Sequence, residues 1–307
     1  MVLSICIPVY NSNVVGLAEQ LSQQIILYKL SAEIVIIDDA SNSVTEYTNR
    51  IGIEGMQHVC YKALTQNKGR SAIRNLFVNF SQGQFLLFID GDSALIANDF
   101  IAKYVEELKN KSIKVLVGGS IYQAIVPERV FYLRWKYSIS REAKSYEDRL
   151  KSRQGFKTNN FVIEKTVLNQ FPFEEKIKGY GHEDTLFGFY LLVNNLKIEH
   201  IDNPVLNCNL DTNCVFLAKS KEAVANLWEI HKEIVTSEDF IAHVRLLATY
   251  YKLKQKGLLT LLQLGNFFLG RVNKFFLIKG YFTLTMFDLY KLTELAKVAR
   301  LKEKHLL

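Results

Sequence analysis

The chain has 307 residues, of which 49% are hydrophobic and 22% are charged, with only four prolines. This composition excludes a disordered chain, a collagen-like repeat and a low-complexity scaffold, and the length allows one large domain or two smaller ones. The net charge of +7 is uneven, because residues 216–307 contain 15 Lys and Arg against 8 Asp and Glu, whereas residues 1–215 contain 23 of each sign. The charge pattern predicts a neutral N-terminal domain, residues 1–215, and a basic, apolar C-terminal region, residues 216–307.

Short apolar runs alternate with amphipathic stretches through residues 1–215, and this pattern is typical of an α/β fold with a mostly parallel sheet flanked by helices. The runs predict strands over residues 3–9, 34–37, 85–89, 115–121 and 197–201. Apolar residues at three- and four-residue spacing predict helices over 14–29, 69–80 and 98–110. Residues 185–192 also have a helical pattern, and the basic C-terminal region is predicted to be mainly helical.

The cysteines and the first residues indicate a cellular compartment. No two cysteines form a Cys-x-x-Cys pair, which argues against a zinc ribbon or a disulfide framework and favours a reducing, cytoplasmic environment. The first eight residues contain no basic segment and no small-residue cleavage site, so a secretory signal is not expected.

Carboxylates follow two of the predicted strands, at the sheet edge where ligands bind in such folds. Asp39 comes after the second strand, and Asp90-Gly91-Asp92 comes after the third. Because Asp90 and Asp92 can turn toward one point, they suit Mg²⁺ or Mn²⁺, which take one or two protein carboxylates and fill the remaining positions with phosphate oxygens. The alternative is a turn whose aspartates only bind backbone amides.

A helix is predicted to start near Gly69, with Arg74 one turn in. Helix N-terminal amides and an arginine favour an anionic or planar polar ligand. Taken alone, Arg74 is also compatible with a solvated helix arginine.

The order of these motifs resembles that of the family 2 glycosyltransferases, which are inverting enzymes of the GT-A fold that use nucleotide sugars. The resemblance extends over residues 1–215 and is carried by residues 8–11, 36–41, 67–75, 90–92, 155–160 and 179–188. It implies a transferase acting in polysaccharide biosynthesis, with a nucleotide-sugar donor and a saccharide or lipid-linked saccharide acceptor.

The resemblance assigns a donor site at the strand ends. It implies that Pro8, Val9 and Tyr10 line the nucleoside pocket. It also implies that Asp39 accepts a hydrogen bond from the imide N–H of uracil and that Arg74 helps to hold the base, which favours a UDP-linked donor.

The resemblance also implies a divalent metal, Mn²⁺ or Mg²⁺, on the donor diphosphate. Asp92 of the Asp-x-Asp motif is the implied ligand, while Asp90, beside Gly91, faces the donor ribose or sugar and is a further candidate ligand. Relatives often have a histidine after the last core strand, and here Asn207 stands at that position. An asparagine oxygen can bind Mg²⁺ or Mn²⁺, although imidazole is the stronger ligand for softer metals. His200 is predicted to be a packed histidine.

A third group of residues is implied to perform the transfer. The resemblance makes Asp184 the general base. Glu183 beside it is its support, through like-charge repulsion. His182 is a contact of the donor phosphate or the acceptor, or alternatively a cap of the helix. A carboxylate must lie within reach of the attacking hydroxyl to take its proton. The alternative is a helix start at which acids only complement the helix dipole.

The acceptor side is less specific. Asn159 and Asn160 offer amide groups for sugar hydroxyls, and Trp135 lies in an aromatic, basic segment suited to a sugar ring. An amphipathic helix that packs on the sheet explains Trp135 equally well.

The basic C-terminal region includes twelve consecutive uncharged residues, 258–269, which is fewer than the roughly 20 that a membrane-spanning helix requires. Mixed apolar, aromatic and basic residues suit a helix lying on the inner face of a membrane, and a helical subdomain that packs on the core or forms a homodimer is equally compatible.

The sequence therefore predicts a metal-assisted, inverting glycosyltransferase. The alternatives are an idle nucleotide-sugar-binding relative and a sugar nucleotidyltransferase, although the latter would need a glycine-rich, basic loop near the first strand. A nucleic-acid partner is not expected, because no binding module is recognised.

Overall fold

The computed structural model describes residues 1–151 and 156–304. The chain forms two compact units. The first comprises residues 1–123, 142–176 and 190–209, and the second comprises residues 124–141, 177–189 and 210–307. The chain enters the second unit for the last time after residue 209, close to the predicted change in composition at residue 215.

The helices and strands alternate in the first half of the chain, and helices dominate the second half. In chain order they are β1 (Leu3–Val9), α1 (Val15–Leu27), β2 (Ala32–Asp38), α2 (Ser43–Ile53), β3 (Val59–Ala63), α3 (Arg70–Phe80), β4 (Phe85–Ile89), β5 (Ser93–Leu95), α4 (Phe100–Glu107), β6 (Val115–Val117), β7 (Ser120–Tyr122), α5 (Tyr132–Tyr137), α6 (Tyr146–Lys151), β8 (Asn160–Glu164), α7 (Lys165–Gln170), α8 (Glu183–Val193), β9 (Ile198–His200), β10 (Val205–Asn207), α9 (Asn213–Glu229), α10 (Glu238–His243), α11 (Arg245–Gln255), α12 (Leu259–Lys279) and α13 (Leu284–Lys304).

The first unit is built on a sheet in the order β3-β2-β1-β4-β8-β6-β9. The first four strands of that order are parallel, and β8 runs antiparallel to both of its neighbours. Every residue of β4 is buried, as expected for a strand covered on both faces, and β1 is nearly as apolar and buried. The predicted mostly parallel sheet flanked by helices is confirmed.

A second, three-stranded sheet in the order β5-β10-β7 corrects one prediction. The single strand expected over residues 115–121 is wrong, because β6 and β7 belong to different sheets. The extended strand is interrupted at Gly118 and Gly119. Gly119 has a φ of +85°, a left-handed conformation that ends a strand and favours glycine. The short strands β3, β5, β8 and β10 were not predicted.

One buried amide joins the two sheets of the first unit. Asn160, at the start of β8, is fully buried. Its Oδ1 accepts a hydrogen bond from the Tyr104 hydroxyl at 2.6 Å, and its Nδ2 donates to the carbonyls of Gly119 and Asn203, both at 2.8 Å. The side chain therefore satisfies three groups that water does not reach.

Replacing Asn160 by alanine is expected to lower the free energy of unfolding by about 2–4 kcal/mol, because three buried hydrogen bonds are lost and, within the described part of the chain, only the Gly119 carbonyl keeps another partner, the Val205 N–H at 3.2 Å. Chemical denaturation would measure the change. Asn194→Ala is the matched control, since Asn194 is exposed and its amide makes one bond, to the Tyr190 carbonyl. Equal stability of the two variants would contradict the prediction.

The second unit is helical around its own apolar cluster, which α5, α9, α12 and α13 share. The buried members are Leu133, Phe216, Leu217, Leu277, Phe287 and Tyr290. Within residues 1–151 and 156–304, no helix combines the length and the apolar character needed to cross a bilayer.

Candidate active site

Asp39 follows β2 and is almost completely buried. Its carboxylate accepts hydrogen bonds from the backbone N–H groups of Lys68, at 2.6 Å, and Gly69, at 2.9 Å. Gly69 has a φ of +87° and immediately precedes α3, so this loop depends on a glycine there. A carboxylate can accept about four hydrogen bonds, so Asp39 can hold this loop and still accept a bond from a ligand.

Arg74 of α3, which is buried, forms an ion pair with the partly exposed Asp90 after β4. Nη2 of Arg74 lies 3.2 Å from Oδ1 of Asp90, and Nη1 donates to the Arg70 carbonyl at 3.1 Å. Only 3% of the Arg74 side chain is exposed, against 29% for Asp90. The structure therefore joins two residues that the sequence assigned to different parts of the donor, and this pair was not predicted.

The ends of β1, β2 and β4 meet at one edge of the sheet. The N–H of Asp39 donates to the Val9 carbonyl at 2.7 Å, which ties the ends of β2 and β1 together. Gly91 lies close to the same edge, since a Cβ added to it would be 2.9 Å from Cγ1 of Val14 and 3.4 Å from the Pro8 carbonyl oxygen. Tyr10, just beyond β1, is 58% exposed and available to a ligand.

Oxygen atoms without partners surround the Asp-x-Asp segment. Asn207 of β10 pairs with Ser93, the residue after Asp92, and the Asp92 carbonyl accepts the N–H of Cys208 at 3.1 Å. Among the described residues, buried Oγ of Ser93, Oδ1 of Asn207 and Oδ1 of Asn159 have no hydrogen-bond partner. The Asn159 carbonyl in turn accepts the N–H of Asp90 at 3.4 Å.

This set of oxygen atoms suits a hard divalent cation. Within the described ranges, no three His, Cys, Asp or Glu side chains are grouped as a metal site would require. Mg²⁺ and Mn²⁺ need only one or two carboxylates when phosphate and carbonyl oxygens complete the shell. By the chemistry of their oxygen atoms, Asp92 and Asn207 are therefore candidate ligands for such an ion, and softer metals suit them less well.

His200 does not belong to this set. It lies in β9, and its Nδ1 is 3.3 Å from Nη1 of Arg149. Burial and the neighbouring arginine lower the pKa of His200 to about 4, so the imidazole is neutral at physiological pH. The prediction of a packed histidine is confirmed.

Glu183 and Asp184 begin α8 in the second unit. Oδ1 of Asp184 accepts the Thr185 N–H at 2.7 Å, and Nδ1 of His182 lies 3.2 Å from the Thr185 hydroxyl oxygen. Glu183 is 6% exposed, whereas Asp184 is partly exposed. His182 has a φ of +69°, so the turn into the helix is left-handed.

Helix α9 holds the loop before α8 in place. Nδ2 of Asn226 donates to the carbonyls of Lys178, at 2.8 Å, and Tyr180, at 3.1 Å. Glu222 accepts the Tyr180 N–H at 3.0 Å, and a Cβ on Gly181 would be 2.5 Å from Cβ of Ala223. Asn226 and Glu222 were missed by the sequence analysis, because nothing in the helical pattern of α9 distinguishes them from surface residues.

A family model described as Glycosyl transferase family 2 matches residues 4–175, more than half of the chain. The chain belongs to this family. It is therefore a glycosyltransferase, as the sequence predicted.

Individual relatives of this glycosyltransferase agree with the family. UDP-Glc:alpha-D-GlcNAc-diphosphoundecaprenol beta-1,3-glucosyltransferase WfgD of Escherichia coli is 23% identical over 218 residues, which are 68% of this chain and 75% of the relative. The mannosyltransferase PcManGT from Pyrobaculum calidifontis, in complex with GDP-Man and Mn²⁺, has a TM-score of 0.57 at 15% identity and covers 97% of this chain and 86% of its own. S. aureus TarS 1-349 in complex with UDP-GlcNAc has a TM-score of 0.54 at 18% identity, over 97% of this chain and 92% of its own. The likeness confirms the GT-A fold.

The predicted acceptor residues of this glycosyltransferase differ in their surroundings. Asn160 has its amide occupied within the protein, as described above, whereas the buried Oδ1 of Asn159 has no hydrogen-bond partner among the described residues. Trp135 is 7% exposed, and its ring stacks on Tyr132 with centroids 5.4 Å apart, which favours the packing interpretation. Gly155, which opens the predicted acceptor segment, lies outside the described residues.

Proposed function

We propose that the chain is an inverting, metal-assisted glycosyltransferase that moves a sugar from a UDP-linked donor to a saccharide or lipid-linked saccharide acceptor. The observation that carries the proposal is the edge of the sheet at which Asp39, the Arg74–Asp90 pair and Asp92 lie together. The donor would lie along this edge, with its base near Asp39 and its diphosphate near Asp92.

The contacts of Asp39 support a uracil base. Its two backbone hydrogen bonds fix the direction of the carboxylate, so a third bond from an imide N–H would require no rearrangement. The Arg74–Asp90 pair fixes the adjacent wall, because a buried guanidinium with two acceptors has little freedom to move. Guanine and thymine also present a ring N–H, and the thermal-shift screen described below distinguishes them from uracil.

The oxygen set at Asp92 and Asn207 supports a divalent cation. When bound, Mn²⁺ or Mg²⁺ would supply Lewis-acid stabilisation of the charge that develops on the departing diphosphate. In this proposal Asp92 and Asn207 hold the ion, while Asp90, held by Arg74, is oriented toward the donor ribose or sugar.

Asp184 is the proposed general base. The acceptor hydroxyl would attack the anomeric carbon from the face opposite the nucleoside diphosphate, so that the new C–O bond forms as the bond to the diphosphate breaks. The hydroxyl proton passes to a carboxylate oxygen of Asp184, and the nucleoside diphosphate leaves with the bonding electrons. The hydrogen bonds between the preceding loop and Asn226 and Glu222 of α9 support this role, because a general base acts best when it is held on a rigid element.

The acceptor class is proposed from the relative WfgD, whose name gives a sugar joined through a diphosphate to undecaprenol as its acceptor. At 23% identity over two thirds of the chain, this relative supports a saccharide carried on a lipid diphosphate as the first acceptor to test.

A thermal-shift screen with UDP, GDP, dTDP and CMP, each with and without Mn²⁺, tests the donor proposal. UDP with Mn²⁺ is expected to stabilise the protein, by about 2.7 kcal/mol at 100 times its Kd, and UDP alone by much less. Stabilisation by GDP or dTDP instead would overturn the assignment of the base. A folded protein that responds to no nucleotide would favour the idle relative.

A further inference from the structure

Helix α12 departs from the usual amphipathic arrangement, because polar residues lie in the middle of its covered side and many of its apolar residues are exposed. The middle of its covered side carries the polar or small residues Gln263, Asn266, Gly270 and Asn273, whereas Leu277, near its C-terminal end, is fully buried. Oε1 of Gln263 accepts a hydrogen bond from Arg300 at 3.3 Å, and Nδ2 of Asn273 donates to the Met286 carbonyl at 3.1 Å. Polar contacts therefore hold the middle of the helix in place, Leu277 fixes its C-terminal end in the apolar cluster, and most of its other apolar residues are exposed.

The opposite side of α12 presents an apolar stripe to solvent. We call it the α12 stripe, and its members are Leu261, Leu264, Phe268, Val272 and Phe275. They are three or four residues apart, so they share one face of the helix, and more than half of each residue is exposed. The stripe is about 21 Å long at the rise of an α-helix. An exposed apolar surface of this extent marks an interaction site.

The sequence around the α12 stripe is positively charged. No Asp or Glu occurs from residue 240 to residue 287, whereas seven basic residues do: Arg245, Lys252, Lys254, Lys256, Arg271, Lys274 and Lys279. Arg271, Lys274 and Lys279 lie on α12 itself and are exposed. The partner of this surface should therefore be both apolar and negatively charged.

We propose that the α12 stripe inserts into the surface of a bilayer that contains anionic lipids. A helix with one apolar face and flanking basic residues lies in the plane of such a surface, with its apolar side chains at the boundary between headgroups and acyl chains. The basic residues add attraction to the anionic headgroups. A second copy of the chain fits less well, because a two-fold interface would bring the same basic residues together. The proposal goes beyond the sugar transfer and does not depend on the donor or acceptor assigned above.

Flotation of the full chain with lipid vesicles tests the proposal. We expect binding to vesicles of phosphatidylcholine and phosphatidylglycerol in equal amounts, weaker binding to phosphatidylcholine alone, and a loss of binding as salt is raised. The triple variant L264Q/F268Q/F275Q is expected to lower the partition coefficient about tenfold or more. Because these side chains are exposed, the variant should keep the thermal stability of the parent chain.

A matched control comes from α2, where Val44, Tyr47 and Ile51 are also exposed apolar residues at helical spacing. V44Q/Y47Q/I51Q is expected to bind vesicles like the parent chain. Equal loss in both triple variants, or no binding by the parent chain to either vesicle, would overturn the proposal.

Insertion itself has a separate readout. In F268W the new indole is exposed in water, whereas Trp135 and Trp228 are 7% and 2% exposed and change little. Its emission is expected to shift to shorter wavelength with the mixed vesicles and not with phosphatidylcholine alone. No shift, or self-association that L264Q/F268Q/F275Q abolishes without any vesicle binding by the parent chain, would show that the stripe covers another protein surface instead.

Discussion

Replacing Asp184 by asparagine is expected to lower kcat by at least about 100-fold, while the thermal shift produced by UDP and Mn²⁺ stays unchanged. The amide keeps the acceptor oxygen that receives the Thr185 N–H, so the start of α8 is preserved. It loses only the ability to take a proton. Release of UDP from a UDP-sugar in the presence of a saccharide carried on a lipid diphosphate would measure kcat.

The matched control for this variant is Asp239→Asn. Asp239 stands in the first turn of α10, as Asp184 stands in the first turn of α8, so both substitutions remove one acid from a helix N-terminus. If complementing the helix dipole were the only role of Asp184, the two variants would behave alike. Near-normal turnover of Asp184→Asn would exclude this residue as the base, whatever the control does.

The strand ends could be predicted from sequence because β1, β2 and β4 are mainly apolar runs with polar residues at or directly after their ends. The carboxylates of Asp39, Asp90 and Asp92 stand at those ends, and parallel pairing brings the ends of β1, β2 and β4 to one edge. The positions of these residues therefore follow from local pattern and topology alone.

Other parts of the site could not be predicted, because they depend on contacts between distant residues. The Arg74–Asp90 pair joins residues 16 apart, and Asn226 binds carbonyls 46 and 48 residues earlier. No periodicity marks an arginine as buried or an amide as a loop anchor. The break between β6 and β7 was visible as two adjacent glycines, but nothing in the apolar run shows that its halves enter different sheets.

Helix α12 is another case in which contacts between distant residues could not be predicted from the sequence. Its composition indicated either a membrane-surface helix or a packed subdomain, since apolar content alone does not say which face is covered. The contacts of Gln263 and Asn273 show that polar side chains hold the middle of the covered side, while Leu277 packs into the apolar cluster. The choice between a membrane-surface helix and a packed subdomain therefore depended on which side chains of α12 are covered.

Asp92→Ala is expected to remove the part of the UDP thermal shift that depends on Mn²⁺ and to lower kcat about 100-fold or more, the scale at which several kcal/mol of transition-state stabilisation are lost. The physical reason is that Asn207 would be left as a neutral oxygen ligand, which binds a divalent cation weakly without a carboxylate beside it. Titration of Mn²⁺ at saturating UDP, followed by melting temperature, would measure the loss.

Asp99→Ala is the control, because Asp99 is a half-exposed acid of the same unit that pairs with Lys103 at 3.2 Å. A metal-dependent shift that survives in Asp92→Ala would exclude Asp92 as the main ligand and direct the search to Asp90.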